Sequence, residues 1–201
     1  MCMLKFKKIP YLNLDYVKGW FNFDFYYEKI YNHLPNNSKI LEIGVFYGKS
    51  TCFMANLIKN NNKKVEFHCC DTFVVNNRAY VGIDNLKMHD NFKRKFENNL
   101  SYFNLSSCVI VHEGKSVDIL SSFPNNYFDF IFVDGDHRYE AVKNDIYFGY
   151  QKIKSGGKLA GHDAHNNDIV RALEDLNMSF EFLGKWEENQ NLNLLWEVCK
   201  K

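Results

Sequence analysis

The stretch FDFIFVDGDHRYEAVKNDI, residues 128–146, holds two patterns back to back. FDFIFV is an apolar run of the length of a buried strand, and a helical pattern that reaches Tyr150 follows it. Between them lie two acids and a histidine, Asp134, Asp136 and His137. A strand-to-helix junction needs only turn residues, so this much ionisable chemistry calls for a further reason.

Outward from this stretch the same alternation repeats. Residues 21–34 place Phe23, Tyr27, Ile30 and Leu34 at helical spacing, and Pro35, Asn36 and Asn37 end that helix. KILEIGVF from Lys39 reads as a strand, followed by a helix through YGKSTCFMANLIKN; KVEFHCCD is the next strand, ending at Asp71. Beyond a polar loop, residues 85–100 carry a helical stripe of Leu86, Met88, Phe92, Phe96 and Leu100. SCVIVHEG reads as a strand, KSVDILSSF as a short helix, GGKLAGHD as a strand after a Gly-Gly turn, and residues 168–177 as a helix. The end, from Phe180, reads as two strands joined by a polar turn. Alternating strands and helices imply an α/β, doubly wound, mostly parallel sheet with helices on both faces and a C-terminal antiparallel hairpin.

Composition narrows the classes. The chain has 201 residues, 46% hydrophobic and 16% aromatic, enough for one substantial core, and is read as one domain over residues 1–201 with residues 1–37 as an N-terminal helical extension. The 25 basic and 24 acidic residues leave a net charge of +1, so no strong field attracts nucleic acid or an acidic membrane. MCMLKFKKIP lacks the apolar core of a signal peptide, and no run approaches the ~20 apolar residues of a membrane span, so a soluble, cytoplasmic protein is expected. The six cysteines form no CxxC pair and read as core thiols.

Sheets of this kind bind ligands beyond the carboxyl ends of their strands, where strand order reverses. Polar groups follow five apolar runs: Glu42 with Gly44, Asp71, Glu113 with Ser116, Asp134 with His137, and His162 with Asp163. Gly44 and Gly48 suit a cradle at a helix N-terminus, although the spacing matches neither GxGxxG nor a phosphate loop. Asp71, at the end of the second strand, suits the two hydroxyls of a ribose. Glu42 suits an amino group, and with the missing third glycine it favours S-adenosylmethionine over NAD. Asp134 and Asp163 offer hard oxygens for Mg²⁺, Mn²⁺ or Ca²⁺; His162 either adds a nitrogen or turns away to bond backbone. Asp136 reads as a helix cap, and His137, beside the expected ion, as a general base.

LEIGVFYGKST, CCDTF, FIFVDGDHRYEAVKNDI and GGKLAGHD together resemble the class I S-adenosylmethionine-dependent methyltransferases, in the group similar to macrocin O-methyltransferase and the cephalosporin-hydroxylase-like enzymes, over residues 38–165. The resemblance implies a Rossmann-like sheet of seven strands and Mg²⁺-dependent methylation of a hydroxyl, often on a sugar. It makes Asp134 and Asp163 metal ligands and His137 the base, a position where catechol-type relatives carry lysine. Macrocin-like members commonly have an acid where this chain has His162. Ser50, Thr72, Gly114 and Ser116, within or beside those motifs, join Glu42, Gly44, Gly48, Asp71 and Asp134 as expected cofactor contacts. The partner is then a small-molecule acceptor, and self-association as a homo-oligomer stays open. Residues 74–87 and the aromatics Trp20, Phe21, Phe23 and Phe25 are read either as a lid or as core packing. Two rivals remain: an NAD-linked oxidoreductase, separable by cofactor titration, and a non-catalytic binding protein, which would transfer no methyl group.

Overall fold

The computed structural model describes residues 12–74, 91–184 and 195–201. Seven strands form one sheet in the order β3-β2-β1-β4-β5-β7-β6. The strands are β1 Ser38–Ile43, β2 Val65–Asp71, β3 Ile110–Glu113, β4 Phe128–Val133, β5 Ile153–Gly161, β6 Phe180–Leu183 and β7 Leu195–Cys199. The first five run parallel, and β7 is antiparallel to both β5 and β6. The helices are α1 Asp24–His33, α2 Lys49–Asn60, α3 Phe92–Tyr102, α4 Ser116–Ser122, α5 Tyr139–Lys152 and α6 Asn167–Asp175. The expected seven-stranded, mostly parallel α/β sheet with a terminal antiparallel pair is therefore the fold. The polar turn of that pair, and residues 85–90 of the expected third helix, lie outside the described residues.

Side-chain alternation along the strands divides the core in two. In β4, Phe130 and Phe132 join α1, α2 and α3 on one face, whereas Ile131 and Val133 join α4, α5 and α6 on the other. Both faces are covered, which is why the strands read as nearly continuous apolar runs. Phe128 breaks the parity: it shares the second face although it lies two residues from Phe130. The β4–β5 register is irregular at the same point, jumping from Phe128↔Ile153 to Phe130↔Lys158. The Gly-Gly pair expected as a turn before β5 sits inside this strand, with Gly156 at φ +77° taking up the bend.

The N-terminal aromatics divide between the two readings. Phe23, Tyr26 and Tyr27 are buried in the first core and Phe21 packs against it, while Trp20 is 63% exposed and Phe25 52%. Buried large side chains contribute about 1.5–3 kcal/mol each. Residues 75–87 of the expected lid loop lie outside the described residues. Cys52, Cys69 and Cys70 are buried as expected of core thiols, but Cys199 is exposed. Among the described residues no helix is long and apolar enough to cross a membrane.

Candidate active site

Strand order reverses between β1 and β4, and the register there decides which residues meet. Ile43 pairs with Val133, and Val133 pairs with Gly161 on its other side. Gly44, Asp134 and His162 therefore emerge side by side from three neighbouring strands. The Asp134 amide donates to the Ile43 carbonyl at 2.8 Å, and the His162 amide to the Val133 carbonyl at 3.2 Å. Asp163 then adopts φ +55°, a left-handed conformation that aspartate tolerates better than most residues.

This turn gathers the ionisable groups. His137 Nε2 lies 3.6 Å from Asp134 Oδ1 and 3.3 Å from Asp163 Oδ2. His162 Nδ1 lies 3.8 Å from Asp134 Oδ1 and 3.2 Å from Asp163 Oδ1. One ligand atom each from Asp134, His162 and Asp163 fits within a span of 4.8 Å. Burial works to depress both histidines, but the surrounding carboxylates outweigh it and hold them above the ordinary imidazole value. For Asp163 burial works upward, and the histidines, His162 first, hold the carboxyl below its usual range. The Nε2 atoms of His137 and His162 are buried and make no hydrogen bond.

The cofactor half is arranged differently from the sequence expectation. Gly44 has φ +84°, and a Cβ there would overlap the Asp134 carbonyl, so this glycine is required by the close approach of the two strand ends. Gly48, at φ +82°, precedes α2, where a Cβ would meet the Phe96 ring at 2.7 Å. Asp71 accepts from the amides of Val45 and Phe46 at 2.9 and 3.1 Å through Oδ2 and from Phe73 at 2.8 Å through Oδ1. It shapes the glycine loop, and Oδ1 keeps a lone pair for a further donor.

Two expected cofactor contacts are corrected. Glu42 is 1% exposed, and its carboxylate accepts from Tyr27 at 3.0 Å, Ser50 at 2.5 Å and Thr51 at 2.6 Å. It faces α1 and α2, on the side of Ile40, so an amino group in the cleft does not reach it, and Ser50 is buried with it. Burial pushes Glu42 up to about 7 against the pull of its three hydroxyl donors. Thr72 is exposed, accepting from the Val74 amide at 3.3 Å. The Gly114 amide donates to the Asp71 carbonyl at 3.0 Å, and the Ser116 hydroxyl to Asp145. Asp136 is not the cap of α5, whose N-cap is Arg138; its carboxylate instead takes the Arg138 amide and guanidinium just ahead of the helix.

Two participants escaped sequence reading. Tyr27 looked like one more apolar position, although an acid within the strand ILEI demands a buried donor. Asp145 lies on the apolar stripe of α5 with Val142, Ile146 and Gly149, and an acid on such a stripe signals a buried partner. His165, in the AHNND stretch of residues 164–168 that the sequence offers as hydroxyl-binding groups beside the expected metal, places Nδ1 3.8 Å from Asp163 Oδ1.

Residues 41–164 match the model of a family described as a methyltransferase domain, which takes in the glycine loop, Asp71 and the whole Asp134–Asp163 cluster. The chain belongs to this family. The methyltransferase expected from the motifs is thereby shown. A curated relative, uncharacterized protein R132 of Acanthamoeba polyphaga mimivirus, is 30% identical over 132 residues, covering 61% of this chain; the chain spans about half the length of that relative, 50% being covered. Among solved structures, the O-methyltransferase from Bacillus cereus in complex with SAH has a TM-score of 0.60 at 17% identity, covering 88% of this chain and 80% of its own. An O-methyltransferase from Streptomyces achromogenes, involved in tomaymycin synthesis and in complex with SAM, gives 0.61 at 13% identity, with 89% and 79% covered. A precorrin 8w decarboxylase from Methanobacterium thermoautotrophicum gives 0.61 at 16% identity, with 91% and 93% covered, so likeness at this level reports the fold.

Proposed function

We propose that this methyltransferase uses S-adenosylmethionine to methylate a hydroxyl of a sugar or another small polyhydroxylated molecule, with a divalent metal ion at the ends of β4 and β5. The observation that carries the reading is the convergence of Asp134, His162 and Asp163 within 4.8 Å, beside a histidine whose Nε2 points at two of them and bonds to nothing.

The residues fit both groups. Two carboxylates and a ring nitrogen converge from three chain positions, and the orphaned Nε2 of His137 leaves a buried polar atom that a ligand at this point satisfies. Asp71 retains acceptor capacity for a ribose, and Gly114 with Ser116 lines the adjoining end of β3 for the adenine. When bound, S-adenosylmethionine supplies an electrophilic methyl on a sulfonium, and the ion lowers the cost of ionising the acceptor hydroxyl.

The chain's own part is positioning and proton transfer. His137 Nε2 takes the hydroxyl proton, and the carboxylates of Asp134 and Asp163, 3.6 and 3.3 Å away, stabilise the imidazolium that results. The same carboxylates raise the basicity of the imidazole, which strengthens it as an acceptor once it is neutral. Orientation of acceptor against methyl is expected to supply more of the rate than the base alone.

His137→Ala is expected to slow methyl transfer to a responsive sugar or polyol by about 10²–10⁴-fold while S-adenosylmethionine affinity stays the same. Transfer at the wild-type rate by this variant would remove His137 from the mechanism. Tight NADH binding without S-adenosylmethionine binding, measured by calorimetry, would replace the whole reading with hydride chemistry.

A further inference from the structure

The donors at the ends of β4 and β5 are of two chemical kinds. Asp134 and Asp163 bring oxygen, whereas His162 brings a ring nitrogen, and all three reach one point. The imidazole is held in place. Its side chain is 11% exposed, its ring centroid lies 5.1 Å from that of the buried Phe23, and its amide is fixed to the Val133 carbonyl. Nδ1 faces both acids at 3.8 and 3.2 Å, so the nitrogen is presented to the same space as their oxygens. His137 Nε2 borders that space as well, at 3.6 and 3.3 Å from the same two acids.

Magnesium and calcium are oxygen-seeking ions; Mg²⁺ in particular keeps several waters and uses one or two carboxylates. Imidazole instead suits Fe²⁺, Zn²⁺ and their neighbours, whose affinity for nitrogen donors follows the Irving–Williams order. A buried imidazole that cannot swing away offers Mg²⁺ a poor ligand where a water would serve it better. For a transition-metal dication the same nitrogen adds affinity.

Resting on the reading of this cluster as a metal centre, we propose that it selects an imidazole-accepting transition-metal dication, of the Fe²⁺, Co²⁺ or Zn²⁺ kind, over Mg²⁺ and Ca²⁺, and that His162 sets the preference. Asp134, His162 and Asp163 then form a three-ligand face that leaves open positions for an acceptor hydroxyl.

Metal-stripped full-length protein is titrated with Co²⁺, whose visible absorption reports nitrogen ligation, in the absence and then in the presence of about a hundredfold excess of Mg²⁺. The bands are expected to appear and to survive the Mg²⁺. His162→Asp, checked for native folding by circular dichroism, should weaken Co²⁺ by about tenfold or more, shift its spectrum and allow Mg²⁺ to compete, since even changes outside a ligand set cost that much. Displacement of Co²⁺ by an equal concentration of Mg²⁺, identical spectra for wild type and His162→Asp, or no bound Co²⁺ at all would each overturn the proposal. Methyl transfer supported by Mg²⁺ with no preference for Co²⁺ overturns it and leaves the proposed function standing. Selective Co²⁺ binding in a protein that binds no S-adenosylmethionine does the reverse.

Discussion

Glu42 carries a carboxyl group into a core that excludes water, and three hydroxyls, from Tyr27, Ser50 and Thr51, are what make it tolerable there. Its position was readable: residues 40 and 42 share a face of β1, so an acid at 42 points where Ile40 points, into the helices rather than out of the strand end. Its consequence is a pH dependence with a definite sign. The folded value of about 7 stands above the ordinary 4.5, so the native state holds a proton that the unfolded chain gives up between those values. The contribution to stability is fully present below about pH 4.5 and is lost as pH rises through about 7. At about 1.4 kcal/mol per pH unit of displacement, ionising Glu42 in place costs about 3 kcal/mol. His137 and His162, also raised, lose stability in the same direction as pH rises, so the wild-type slope alone does not isolate Glu42. Glu42→Gln does: denaturant unfolding at about pH 5 and about pH 8 should show a smaller loss for the variant than for the wild type. Equal losses would mean that the carboxyl ionises without cost. Conformation at single residues also separates folding from function. Asn37, Asn104, Asn126 and Asn177 take positive φ at turns, as asparagine readily does, whereas Phe46, Phe73 and Asp163 take it just past β1, β2 and β5. Positive-φ residues other than asparagine and glycine, at about 1–3 kcal/mol each, therefore gather past the carboxyl ends of the strands.

Among the elements, order and type were legible because each amphipathic helix and each apolar run shows its own period. Strand position was not: the terminal antiparallel pair was expected, but nothing in its alternation says that β7 fits between β5 and β6. Gly161 suggests why the pairing is possible, since β5 must approach the Trp196 ring of β7 so closely that a Cβ there would collide with it. The start of α5 was misread for a related reason. Asp136 resembles a cap, yet the chain runs extended at Arg138 and the helix begins at Tyr139. Between elements the most informative link is Ser116 on Asp145, which ties the first turn of α4 to the buried face of α5. Burial pushes Asp145 up to about 7, with Ser116 pulling back. Ser116→Ala leaves that carboxyl without a donor and should cost about 1–3 kcal/mol in urea unfolding, whereas Asp145→Asn should cost less, because the amide need not be deionised. A double-mutant cycle should return a coupling of about 0.5–3 kcal/mol; a coupling of zero would mean that the two helices are held together by their apolar contacts alone.

Over the whole molecule, α1 joins what the sheet separates. Tyr27 reaches Glu42 on β1, Tyr26 donates at 2.6 Å to Glu197 on β7, and Phe23, just ahead of the helix, packs on Phe132 of β4 and on His162 beyond β5. Glu197, itself held by Lys158 at 2.5 Å, ends up buried between this helix and the sheet. Which strand ends carry ionisable groups could be read one strand at a time, because a polar residue after an apolar run is a local signal. The role of α1 could not, because its contacts depend on which strands lie side by side beneath it. A lid would leave the core intact when weakened, and a clamp would not. Phe23→Ala is expected to destabilise the protein by about 3–5 kcal/mol through the cavity it opens, and to loosen the His162 ring that Phe23 faces at 5.1 Å. Phe25→Ala, on the same segment but 52% exposed, should stay within about 0.5 kcal/mol of wild type. Denaturant unfolding of both variants decides between the two readings: equal, small effects would make the N-terminal segment a detachable lid, whereas a large loss at Phe23 alone makes it part of the core that positions His162.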